Sequence, residues 1–182
     1  QSDEISLVLK SDTEWFDRRV EKLLSVTAAM ASAKIAVECL HWADRLPYFD
    51  ARLLVLPTLD DVRVMLDERQ LDSAKNSVSC VLYWYLRQQV GMSGKRADSF
   101  MRDIGDKSER ELWLQDRNID IPWDKRKGRL LTRETYTKEG FNPVTQETVE
   151  ATRRRVVINE ELPRFGHLSD EKFLTLLGVQ DV

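Results

Sequence analysis

Val78-Ser79-Cys80-Val81-Leu82-Tyr83-Trp84-Tyr85-Leu86 is the most apolar run of the chain and carries three adjacent aromatic residues. Its β-branched and aromatic content suits a buried strand. The flanks favour a helix. Asp72 reads as an N-cap ahead of Ser73-Ala74-Lys75, and Gly91 as the glycine that closes the turn after Arg87-Gln88-Gln89-Val90. The span between them is long for a strand. Apolar residues at 78, 81, 82, 85 and 86 mark one helical face, and Cys80, Tyr83 and Trp84 carry it most of the way round. A helix apolar on nearly all sides belongs in the centre of a fold. The pattern predicts a buried central helix over 72–90, with Trp84 in the core.

Working towards the N-terminus, Thr58 precedes Leu59-Asp60-Asp61-Val62-Arg63-Val64-Met65-Leu66, a second helix with acids in its first turn, where the helix dipole favours them. Pro47 and Pro57 bracket a connector. Before it, Ser11-Asp12-Thr13-Glu14 has the form of a capping box, Ser followed three residues on by Glu. A long helix from Asp12 to about Leu46 should follow, with Trp15, Phe16, Val20, Leu23, Leu24, Thr27, Met30, Ala31, Ile35 and Leu40 as its apolar stripe. Its middle is rich in small residues (Ala28, Ala29, Ala31, Ser32, Ala33, Ala36), which let another helix approach closely. His41 and Asp44 share a face near its end as a structural pair. Glu4 to Lys10 alternates and reads as a short strand or a docking arm.

Working towards the C-terminus, Arg96 to Ile104 reads as a short helix ended by Gly105, and Ser108-Glu109-Arg110-Glu111 as a second capping box. Leu130 to Tyr136 reads as a strand and Lys138-Glu139-Gly140 as a turn. Asn142-Pro143 has the form of a helix start. Thr145 to Glu161 would then be helical, although Thr148, Thr152, Val156 and Val157 also admit a β reading. Ser169 caps a last short helix closed by Gly178. The fold class expected is mostly α: an irregular helical bundle around two long helices, 12–46 and 72–90, with a small C-terminal hairpin or short strands. Residues 1–124 form the helical core, and 125–182 a C-terminal extension packed on it within one globular domain.

The 182 residues suffice for one well-buried core. No apolar run reaches the length of a membrane span, and Gln1-Ser2-Asp3-Glu4 shows no basic-then-apolar leader. Cys39 and Cys80 read as free thiols in a cytoplasmic or other reducing compartment. Two histidines and no CxxC give no zinc pattern. Gly91, Gly94 and Gly105 lack the Gly-Lys-Ser/Thr ending of a phosphate loop, and no hydrolase, metalloprotease or dinucleotide motif is present. No catalytic residue, metal ligand or cofactor is assigned.

The formal charge of −3 argues against indiscriminate nucleic-acid binding. Its distribution is uneven. Residues 121–155 hold 9 Lys and Arg against 5 Asp and Glu, whereas residues 1–90 hold 11 against 14. The candidate nucleic-acid residues are therefore Lys125, Arg126, Lys127, Arg129, Arg153, Arg154 and Arg155, since clustered cations neutralise phosphates and release counterions. On a helix the last three would fan apart and could not serve one groove. The bland alternative is a solvated face paired with Glu147, Glu150 and Glu160.

Asn142-Pro143-Val144-Thr145-Gln146-Glu147-Thr148-Val149-Glu150-Ala151-Thr152-Arg153-Arg154 is similar to a segment of the coat proteins of rod-shaped plant viruses of the tobacco mosaic type. The resemblance implies a bundle helix whose arginines lie near RNA. It is confined to these residues, and Pro163 would cut that helix short. The leading expectation is a non-catalytic protein–protein interaction or assembly module that self-associates or binds a protein partner. The alternative is a nucleic-acid-binding, coat-like protein using the C-terminal basic segments, and the third is an enzyme of unrecognised type.

Overall fold

The computed structural model describes residues 4–39, 46–122 and 126–179. They fall into two compact units, residues 4–57 and residues 58–179. The architecture is mostly helical with a C-terminal antiparallel hairpin, as the sequence predicts.

In the first unit, Glu4 to Lys10 is exposed and forms no strand, and helix α1 spans Val20–Cys39. The helix does not start at Asp12. Phe16, Asp17 and Arg18 adopt left-handed φ of +53°, +54° and +57°, a conformation costly for non-glycine residues. Arg18 Nη1 holds this turn by donating to the carbonyls of Ser11 (2.7 Å) and Thr13 (3.1 Å). The carbonyls of the expected capping box thus serve a guanidinium. The small-residue stretch of α1 meets irregular chain: Phe49 N–H donates to Ser32 Oγ at 2.8 Å, and Ser32 Oγ donates to Ala28 O. His41 and Asp44 lie outside the described residues.

The second unit is built on α2, Leu59–Gln88, a helix of 30 residues. The two helices expected over 59–66 and 72–90 are one. Thr58 and Asp61 form its capping box: Asp61 N–H donates to Thr58 Oγ1 (3.1 Å), and Thr58 N–H to Asp61 Oδ2 (3.0 Å). Asp72 is no cap. It lies inside the helix, paired with Arg69 at 2.9 Å. The intervening Asp67-Glu68-Arg69-Gln70-Leu71 contains no Gly or Pro to interrupt the ladder.

Helix α2 serves two cores. Near its C-terminal end Val78, Leu82 and Leu86, at i, i+4 and i+8, pack with Ala97, Leu114 and Ile121. Ala97 comes from α3 (Gly94–Ile104, capped by Ser93) and Leu114 from α4 (Lys107–Gln115). The cap of α4 is Asp106, which with Glu109 forms the capping box expected at Ser108. Trp84 is not core: it is 50% exposed, while Leu82 two residues away is fully buried. Near the N-terminal end of α2, Leu66 packs with Leu162, Phe165 and Phe173. Phe173 belongs to α5, Asp170–Leu176, capped by Ser169 as expected.

A polar clamp fixes the C-terminal loop to α2. Buried Gln70 donates through Nε2 to Pro163 O (3.0 Å) and Lys127 O (3.4 Å), and its Oε1 accepts from Phe165 N–H (3.0 Å). One turn away, Asp67 accepts from Arg164 Nε (3.1 Å) and Gly166 N–H (2.9 Å). Arg164 is the main reason that the Asp67 carboxyl sits below the usual carboxylate range, and the Gly166 amide adds to it.

Strands β1 (Leu130–Asn142) and β2 (Glu147–Asn159) pair antiparallel from Leu130↔Asn159 to Asn142↔Glu147. Residues 147–159 are therefore strand, not helix, and the turn is at 142–147, not at Lys138-Glu139-Gly140. Asn142 Oδ1 accepts from Val144 N–H (2.9 Å) and Thr145 N–H (3.4 Å), the same local bonding it would offer as a helix cap. Asn-Pro is thus ambiguous between the two. The β-branched residues Thr148, Val149, Thr152, Val156, Val157 and Ile158 then favour the strand. At the base of the hairpin Leu130 packs on the core around Phe173.

Candidate nucleic-acid interface

Directly paired residues of an antiparallel ladder share a face. One face of the hairpin carries the pairs Glu134↔Arg155, Tyr136↔Arg153 and Lys138↔Ala151. The other carries Arg133↔Val156, Thr135↔Arg154 and Glu139↔Glu150. The three consecutive arginines therefore divide, Arg153 and Arg155 on one side and Arg154 on the other.

The structure separates the predicted cations further. Lys125 lies outside the described residues. Arg126 is half-buried, paired with Glu111 of α4 and donating through Nε to Ile121 O at 3.3 Å. It is a tie within the helical part. Lys127 offers its carbonyl to Gln70. Arg129 pairs with Glu160 at 3.1 Å, where the two strands enter the hairpin. Arg129 is seven residues from Tyr136, about 24 Å along an extended strand. It does not share a site with Arg153. What comes together is a smaller group.

On the first face the Arg155 guanidinium lies 5.2 Å from the centroid of the Tyr136 ring and pairs with Glu134 across the ladder. Arg153 stands directly opposite Tyr136, and Lys138 is one step further out on the same face. Arg153 and Lys138 have no ion pair among the described residues. Beyond the ring, Ala151 and Gly140 leave a depression of about 360 Å³, lined by Tyr136, Lys138, Glu139, Gly140, Ala151 and Arg153. Cations beside an aromatic ring and an open space form a surface that suits a base with its phosphate. Tyr136 and Lys138 were not among the predicted residues. The period-two alternation Glu134, Tyr136, Lys138 would have disclosed them, had the turn been placed at Asn142. Among the described residues no three His, Cys, Asp or Glu side chains converge as metal ligands. No helix among them is long and apolar enough to cross a membrane.

Comparison with known proteins supplies what no motif did. The Thg1 family model, described as tRNAHis guanylyltransferase, matches residues 1–57, a stretch that includes the first compact unit. A tRNA(His) guanylyltransferase of Debaryomyces hansenii is 30% identical over 175 residues, covering 87% of this chain and 65% of that protein. Probable tRNA(His) guanylyltransferases of Drosophila melanogaster and Homo sapiens are 29% identical over 140 and 163 residues, 73% and 81% of this chain but 49% and 53% of theirs. The chain spans about half to two thirds of the length of these relatives.

These likenesses overturn the expectation of a non-catalytic interaction or assembly module, and with it the ranking that put an enzyme last. The proteins it resembles along most of its length are named as enzymes acting on an RNA. The likeness to viral coat proteins fails on the structure, since the segment from Asn142 to Arg154 is a turn and a strand with no bundle helix.

Proposed function

We propose that this chain works in the transfer of a guanylyl group to tRNA, the activity for which its relatives are named, and that it grips RNA along the ring-bearing face of the hairpin. The observation that carries the reading is the 30% identity to the Debaryomyces hansenii protein over 87% of the chain, which takes in both compact units. The hairpin face supports the RNA part. Arg153 and Lys138 offer cations to phosphates, and Tyr136, backed by Arg155, offers a ring to a base. Arg153 and Arg155 are retained from the predicted cationic set, while Arg126 is occupied in holding α4. The free thiols of Cys39 and Cys80 fit a reducing compartment.

The test is incorporation of label from α-phosphate-labelled GTP into a tRNA(His) transcript by the full chain, with a gel shift of the same transcript alongside. Label in the RNA and a salt-dependent shift are expected. A chain that incorporates none, under conditions where a relative's enzyme does, refutes the transferase reading. A chain that shifts no RNA at low salt refutes the RNA reading.

A further inference from the structure

The depression beside Tyr136 has a shape that bears on which form of RNA it takes. Arg155 covers the ring from the rung nearer the hairpin base, 5.2 Å from its centroid. The opposite side of the ring looks towards the tip, over the rungs Lys138↔Ala151 and Gly140↔Val149. Ala151 and Gly140 carry almost no side chain on this face, so the ring borders open space there. The volume of about 360 Å³ lies at the low end of small-ligand sites. Two exposed cations flank it, Arg153 across from the ring and Lys138 beyond it, and the Glu139 carboxylate is the one acid in its lining. A base held in a duplex has both faces stacked and cannot enter. An unpaired base can lie on the ring while its phosphate meets the cations.

We propose that this depression seats one unpaired nucleotide of single-stranded RNA, its base stacked on the side of Tyr136 away from Arg155 and its phosphate between Arg153 and Lys138. This rests on the reading of RNA as the substrate, and it adds the position, the residues and the preference for an unpaired segment. Arg155 is a positioning residue: paired with Glu134, it fixes the ring from behind. Arg154, on the opposite face, takes no part.

The experiment uses the full chain and a single-stranded RNA dodecamer bearing 2-aminopurine, whose fluorescence falls on stacking, with a blunt RNA duplex as comparison. The parent should quench the probe and bind it more tightly than the duplex. Tyr136→Ala should weaken binding roughly 5- to 150-fold, the range for loss of one base–aromatic stack, and should abolish the quenching. Ala151→Leu keeps the ring and every charge but fills the depression, so it should abolish the quenching while the far-UV spectrum stays that of the parent. Tyr136→Phe should restore the quenching, because the stack needs the ring and not the hydroxyl. Arg153→Gln should lower the slope of log affinity against log salt by about 0.7, and Arg154→Gln should leave the quenching intact. If the parent binds RNA and both Tyr136→Ala and Ala151→Leu quench as it does, the nucleotide site is refuted and the proposed function stands. If the parent binds no RNA at low salt, both fall.

Discussion

Replacing Gln70 with Leu tests whether the polar clamp on α2 holds the C-terminal loop. The substitution keeps a similar apolar volume and removes the amide. Phe165 N–H loses its acceptor at 3.0 Å and Pro163 O its donor at 3.0 Å, while the weaker bond to Lys127 O at 3.4 Å also goes. Gln70 is 5% exposed and Phe165 4%, so water reaches these groups only if the loop lifts. A buried polar group left without a partner costs about 1–3 kcal/mol. Two such groups, partly relieved by loop movement, give a loss of about 2–4 kcal/mol. For a chain of this size that corresponds to a fall in Tm of roughly 4–16 °C. The assay is thermal and urea melting of the parent and variant, with amide exchange read at Phe165. The Phe165 amide should lose protection more than those of Leu82 and Leu86, which belong to the other core. A variant that melts within about 0.5 kcal/mol of the parent, the scatter of an ordinary surface change, with Phe165 still protected, would refute the reasoning. The clamp would then be incidental to packing of Leu162, Phe165 and Phe173.

Other outcomes follow from the same structure. Leu82→Ala should cost about 2–5 kcal/mol, and Trp84→Ala clearly less, because Leu82 is fully buried and Trp84 is half exposed; urea melts giving the reverse order would place the core of α2 on the wrong face. Asp67 has a folded pKa below its unfolded value of about 3.9, first because of Arg164, so its contribution is fully present above that pH and fades as pH falls through the lower folded value. Asp67→Asn should therefore be less stable than the parent at pH 7, with the gap closing under acid; a gap that is constant between pH 7 and pH 3 would contradict this. Glu139 and Glu150 stand directly opposite each other on the exposed face of the hairpin, and like charges in that position destabilise a ladder. Glu150→Lys should slow amide exchange along the outer half of β1 and β2, and faster exchange would argue against the register.

The sequence determined those features that depend on a few neighbouring residues. The caps at Thr58 and Ser169, the helix end before Gly91 and the last short helix closed by Gly178 were all legible, because each is a matter of one side chain and the backbone next to it. The hairpin was legible as one of two readings. Three things were decided only by the tertiary structure. Helices 59–66 and 72–90 merged because one uninterrupted helix contributes to two separate cores, one towards each end, which no short window of the sequence contains. Residues 147–159 became strand because β1 lies beside them to pair the backbone groups on their facing edge, a partner that begins with the pairing Asn142↔Glu147 and ends at Leu130↔Asn159. The basic residues were sorted by that same pairing. Neighbours in sequence, Arg153 and Arg154, point to opposite faces, whereas Tyr136 and Arg153, far apart in sequence, meet across the ladder. Side-chain direction in a strand alternates with every residue, so the composition of the site is set by register. Register is a property of two segments together and cannot be read from either alone.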